Sequence, residues 1–143
     1  MTDKEINQYM NKVAGFMVVS VVIWVILIIY QLVAGIFTIW WGYGVGTLLL
    51  MIYNIVNVIR YIKNLEVIRK CNSVDEAAAV VHYFENQIPI CWIFMFINLI
   101  FGGVLGFIGC LYDLLLAYRV KKMKYELLCG NNAPNGGEFR EID

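Results

Sequence analysis

Gly44 to Lys63 reads GVGTLLLMIYNIVNVIRYIK, and the chain carries a version of this stretch twice. At an offset of 59, Gly103 to Lys122 reads GVLGFIGCLYDLLLAYRVKK, so that Gly44/Gly103, Val45/Val104, Tyr53/Tyr112, Arg60/Arg119 and Lys63/Lys122 coincide without a gap. Asn54 falls on Asp113, a near-isosteric pair. Each copy is an apolar run that opens on glycine and closes on a basic cluster. At an offset of 68 the likeness extends backwards, laying Ile23 to Gly35 on Cys91 to Gly103 with Trp24 on Trp92 and Ile29 on Ile97. The difference is an insert, Ile36 to Gly44, whose Trp40, Trp41 and Tyr43 suit a turn at the headgroup level. Self-similarity of this kind predicts two tandem helical units.

Composition states where those units sit. Hydrophobic residues make up 61% of the chain and charged residues 15%, against about 45–50% and 25% in ordinary globular chains. No Lys, Arg, Asp or Glu occurs from 13 to 59, and from 88 to 118 Asp113 alone is charged. Apolar runs well beyond ~18 residues predict membrane-spanning helices. With a formal net charge of zero there is no basic footprint for nucleic acid. Cys71, Cys91, Cys110 and Cys129 form no CxxC pair and no metal-type spacing with His82, so neither a disulfide, a zinc site nor a cofactor is expected.

Charge placement sets the expected topology. Ile88 to Tyr118 would be about 46 Å long as one helix at about 1.5 Å per residue, against a ~30 Å hydrocarbon core. Arg60, Lys63, Arg69 and Lys70 precede this segment, and Arg119, Lys121, Lys122 and Lys124 follow it. Basic residues mark the cytoplasmic side, so the segment must turn back, with Gly102-Gly103 as the turn. The expected fold is all-α, with four transmembrane helices as two tandem hairpins. The hairpins are related by a pseudo-two-fold axis along the membrane normal, and a short cytoplasmic helix lies between them. Residues 1–12 form a cytoplasmic N-terminus, 13–63 the first hairpin, 64–83 the cytoplasmic amphipathic helix, 84–122 the second hairpin and 123–143 a disordered cytoplasmic tail. In the inter-hairpin helix, Ser73-Val-Asp-Glu76 reads as a capping box, the Ser hydroxyl taking the Glu76 amide while Glu76 reaches back to the Ser73 amide. Pro89 suits an early position in the span that follows. Both termini are expected inside, in a bacterial inner (cell) membrane.

Few polar side chains remain to carry chemistry. Gly102, Gly106, Gly109 and Asp113 share one helix face at spacings of about four, three and four, which lets another helix approach closely. Gly42 and Gly46 suggest the same role in the first copy. Thr47, Asn54 and Asn57 form a polar strip on helix two, and membrane acids and amides seldom face lipid. Asp113, Asn54, Asn57 and Thr47 are therefore candidates to line a pore or polar path. The rival reading makes them inter-helical hydrogen-bond partners. Trp24, mid-span, reads as packing. His82 with Glu85 three positions on reads as a helix-surface pair. No nucleophile–base set, phosphate loop or metalloprotease motif occurs, so an enzyme is not expected.

The leading expectation is an oligomeric channel or pore-type protein, a homo-oligomer in which the glycine face and an unpaired Asp113 meet a neighbour. The competing one is a non-catalytic adaptor or regulatory subunit with a cytoplasmic protein partner. It rests on the charged inner face and on Ala77, Ala78, Val81, Tyr83 and Phe84 of the capped helix. In both readings the eight basic residues sit against the lipid bilayer at the inner leaflet, each contributing about 1 kcal/mol.

Overall fold

The computed structural model describes residues 3–129, and side chains from 4 to 122. Every element among the described residues is helical. α1 spans Asp3–Thr38, a single 3₁₀ turn covers Ile39–Trp41, and α2, α3 and α4 span Tyr43–Arg69, Val74–Phe101 and Gly103–Cys129. All four are long and apolar enough to cross a membrane. α1 packs along α2 and α3 along α4, α1 also touches α4, and α2 meets α3 over much less of its length. The tail expected from 123 is helical as far as Cys129, where α4 ends, and the rest of it and the Lys124 side chain lie outside the described residues.

Of the segment expected as a separate inter-hairpin helix, residues 64–69 end α2 and 74–83 begin α3, which continues through Pro89 without interruption. Its start follows the capping logic and adds a bond. Glu76 N donates to Ser73 Oγ at 3.3 Å, and the Glu76 carboxylate accepts from the backbone of Ser73 and, at 2.9 Å, from the Asn72 amide. Proline sits more than a turn past α3's capped start. The ladder bond lost there is tolerated where neighbouring helices hold both flanks.

The helices are apolar nearly all round, so burial and not hydropathy picks out their inner faces. In α1 the buried positions are Ala14 and, in one stripe at spacings of three and four, Ile6, Met10, Val13, Met17, Ser20, Trp24, Leu27, Gln31 and Gly35. Val22, Ile26, Ile29 and Val33 on the far side are exposed and suited to lipid. α1 has 36 residues, about 54 Å at about 1.5 Å per residue, so the bundle outruns a ~30 Å hydrocarbon layer. At the charged end its core continues as in a soluble protein: Ile6, Met10, Ile68, Ala77, Val81, Phe84 and Val120 belong to one buried cluster. Each large side chain there contributes about 1.5–3 kcal/mol through the hydrophobic effect. Within lipid that driving force is absent, and close packing and hydrogen bonds take its place.

Ala77, Val81 and Phe84 are thus packed inside the bundle and do not form a waiting apolar face. At the opposite end the turns rest on glycine. Gly42 closes the 3₁₀ turn at φ 77° and Gly103 opens α4 at φ 62°, left-handed values that a side chain would strain. Gly42 touches nothing a Cβ would meet, so it is a turn residue and not the packing residue expected from its spacing to Gly46.

Candidate functional site

The buried polar side chains are Ser20 and Gln31 on α1, Thr47 and Asn54 on α2, Asn98 on α3 and Asp113 on α4. Every helix contributes at least one. Because apolar neighbours surround them, each must find its partner inside the bundle.

Asp113 is the centre of the largest group. Trp24 Nε1 donates to its Oδ2 at 2.7 Å, Tyr61 OH donates to Oδ2 at 3.0 Å, and Ser20 Oγ donates to Oδ1. Three donors from α1 and α2 therefore hold a carboxylate from α4. The acid expected to lack a partner within the chain is satisfied by residues 52, 89 and 93 positions away. Its glycine face is turned inward with it. A methyl group at Gly106 would lie 2.8 Å from Asn98 Oδ1, and one at Gly109 would rest 3.7 Å from the Trp24 ring. This face meets helices of its own chain, where the sequence suggested a neighbouring subunit. Gly46 packs closely too, beneath the Phe101 ring at 2.6 Å from a would-be Cβ.

Asp113 also lines a cavity of about 350 Å³ that lies mainly in the loose seam between α2 and α3. Arg60, Lys63, Asn64 and Gln87 line its charged end, and Asn57, Tyr61 and Tyr83 its walls. Deeper in, Tyr53 stacks on Phe94 with ring centroids 4.1 Å apart and planes 6° apart. Asn54 lies at this deep end, where its Nδ2 donates to Gln31 Oε1 at 2.9 Å. Of the four polar-path candidates, the cavity brings together Asp113, Asn54 and Asn57. Thr47 stands apart, its hydroxyl 3.1 Å from Phe101 O and 3.2 Å from Tyr43 O, tying α2 to the end of α3.

The basic residues divide. Arg60 and Lys63 line the cavity, Lys70 pairs with Glu66 at 2.8 Å, and Arg119 lies over the Phe16 ring at 4.7 Å. His82 is exposed, with Nδ1 3.9 Å from the Glu85 carboxylate and Nε2 3.3 Å from Asn86 Nδ2, a surface arrangement. Ser20, Trp24, Gln31, Tyr61 and Asn98 were missed as site residues by the sequence reading. Gln31 and Asn98 carried a usable signal, since each is a lone amide within an apolar run.

Fold and site together define a class, a four-helix membrane protein with a polar interior. No family model, curated protein or solved structure matches the chain, so its own geometry carries the functional reading.

Proposed function

We propose that this chain is a channel- or pore-type membrane protein whose polar path lies inside one bundle. The path enters at Arg60 and Lys63, follows the seam between α2 and α3, and reaches Asp113. The observation that carries this reading is the cavity of about 350 Å³, lined by Arg60 and Lys63 together with the buried carboxylate of Asp113. A bundle serving only as an anchor has no need of a polar cleft beside a buried acid.

The layout proposed with it is two tandem hairpins, α1–α2 and α3–α4, related by a pseudo-two-fold axis along the membrane normal. Packing supports this, because the α1–α4 contact becomes the α3–α2 contact under such an axis. The basic ends lie in the cytoplasm and the glycine turns outside, in a bacterial inner membrane. A homo-oligomer is a separate proposal that uses outer apolar faces, because the glycine face is occupied. A detergent-solubilised mass of one chain would refute the oligomer without touching the path.

Flux into liposomes holding the purified protein tests the path. Asp113→Asn is expected to change the ratio of cation to neutral-solute flux, and an unchanged ratio removes Asp113 from it. The adaptor reading keeps one support, the concentration of charged side chains at one end. A stoichiometric partner copurified from native membranes, together with no flux, would favour it.

A further inference from the structure

Asn54 lines the cleft, and Gln31 and Asn98 lie beyond its lining; none of the three has exposed surface. Asn54 Nδ2 donates to Gln31 Oε1 at 2.9 Å, while Asn98 Nδ2 donates to Phe94 O at 3.0 Å and faces Cys110 Sγ at 3.4 Å. After these bonds, Gln31 Nε2, Asn54 Oδ1 and Asn98 Oδ1 have no partner among the described residues. Such a remainder is uncommon, because an unpaired buried polar atom costs more than immobilising a molecule to pair it.

The remainder has a definite chemistry: one donor and two acceptors. A cation at this point would face the Gln31 amino group, and an anion would face two carboxamide oxygens. Neither finds a shell of one polarity. A neutral molecule that accepts one hydrogen bond and donates two matches all three atoms, and water has that pattern. A methyl group at Gly102 would lie 2.7 Å from Asn98 Oδ1 and 3.1 Å from Gln31 Nε2, so the free donor and one free acceptor converge on this glycine.

We propose that Gln31, Asn54 and Asn98 form a binding site for a single water molecule, which accepts from Gln31 Nε2 and donates to Asn54 Oδ1 and Asn98 Oδ1. The site stands on hydrogen-bond geometry and goes beyond the path proposed above. Where that path operates, this water is its narrow point and favours small neutral solutes over ions.

Water-edited solid-state NMR on the ¹⁵N-labelled full chain in phosphatidylcholine bilayers tests it. Polarisation from water is expected to reach the side-chain amides of Gln31, Asn54 and Asn98 as early as it reaches Asn57 and Asn64 of the open cleft. Asn98→Leu is expected to abolish the transfer to Gln31 and Asn54. Late or absent transfer to all three amides in the unsubstituted protein, with direct contact between the Gln31 and Asn98 side chains, would mean that the amides close on one another and would overturn the site. The unsubstituted protein decides the matter even if the variant fails to fold. Flux in the same bilayers separates the two ideas: water transfer without flux removes the path alone, and flux without transfer removes the site alone.

Discussion

Trp24 Nε1 and Asp113 Oδ2 lie 2.7 Å apart although the two residues are separated by 89 positions. This bond ties the first helix to the last and fixes which face of each points inward. Trp24→Phe keeps the ring's bulk and removes the donor. Hydrogen bonds in membrane proteins average about 0.6 kcal/mol and reach about 1.7, and a carboxylate acceptor favours the upper end. The expected loss is about 1–2 kcal/mol, measured by reversible unfolding in mixed micelles. In an Asp113→Asn background the same change should cost much less. Equal losses in both backgrounds would mean that the indole acts by packing alone.

The glycines give an ordered series. Gly109→Ala adds a methyl at ordinary contact distance, 3.6 Å from the Ile23 side chain, and gains helix propensity of about 1 kcal/mol. It is expected to be neutral or stabilising. Gly106→Ala forces Asn98 aside from 2.8 Å and is expected to cost about 1–3 kcal/mol, as overpacking does. Gly42→Ala meets no atom, but it asks alanine to hold φ 77°, which costs roughly 1–2 kcal/mol. Thermal denaturation of the three variants checks the order. Gly106→Ala as harmless as Gly109→Ala would contradict the inward placement of this face.

What could be read in advance follows from how each signal arises. Chain segments long enough to span a membrane announce themselves by lacking charge, and Gly103 marks a turn where the backbone needs a left-handed angle, whereas Gly42, read for packing, has the same angle and is a turn residue. The inner faces were not legible in that way. Val22 and Leu27 are equally apolar, yet one is exposed and the other buried. Only polar residues distinguish faces in such helices, and that argument reached Asn54 and Asp113 but was not extended to Ser20, Gln31 and Asn98. The partners of Asp113 come from α1 and α2, so no local spacing reveals them. Pro89 suggested the early turns of a new helix, where its missing N–H is harmless. Burial of Ala77, Val81 and Phe84 in the core of the bundle instead carries α3 across it.

Topology is best tested away from the native thiols. Cys71 is 2% exposed, and burial pushes its thiol pKa up. The reactive thiolate is therefore scarcer at neutral pH than in a free cysteine and increases only as pH rises. Native Cys71 is expected to label slowly from either side. Asp75→Cys in a Cys71→Ser background places an exposed thiol in the first turn of α3. It should react with an impermeant maleimide only in inside-out vesicles. Rapid labelling in intact cells would reverse the proposed orientation.

Arg60 and Arg119 are equivalent in the internal repeat but not in their surroundings, and this separates two roles of positive charge. Arg60 and Lys63 line the cleft above Asp113, whereas Arg119 lies over Phe16 at the contact between α1 and α4. Replacing Arg60 and Lys63 with Gln is expected to alter flux while leaving orientation intact, because Arg69 and Lys70 still mark that end. Replacing Arg119, Lys121, Lys122 and Lys124 removes the marker of the second hairpin. Cys129 should then become accessible outside, since basic residues near a span's end set its orientation. Arg119→Gln alone is expected to cost about 0.5–1 kcal/mol, the range for an exposed cation over a ring. Flux, labelling and unfolding measured on the same variants keep the roles apart. A loss of flux from the second cluster with Cys129 still inside would make that cluster part of the path and refute the division.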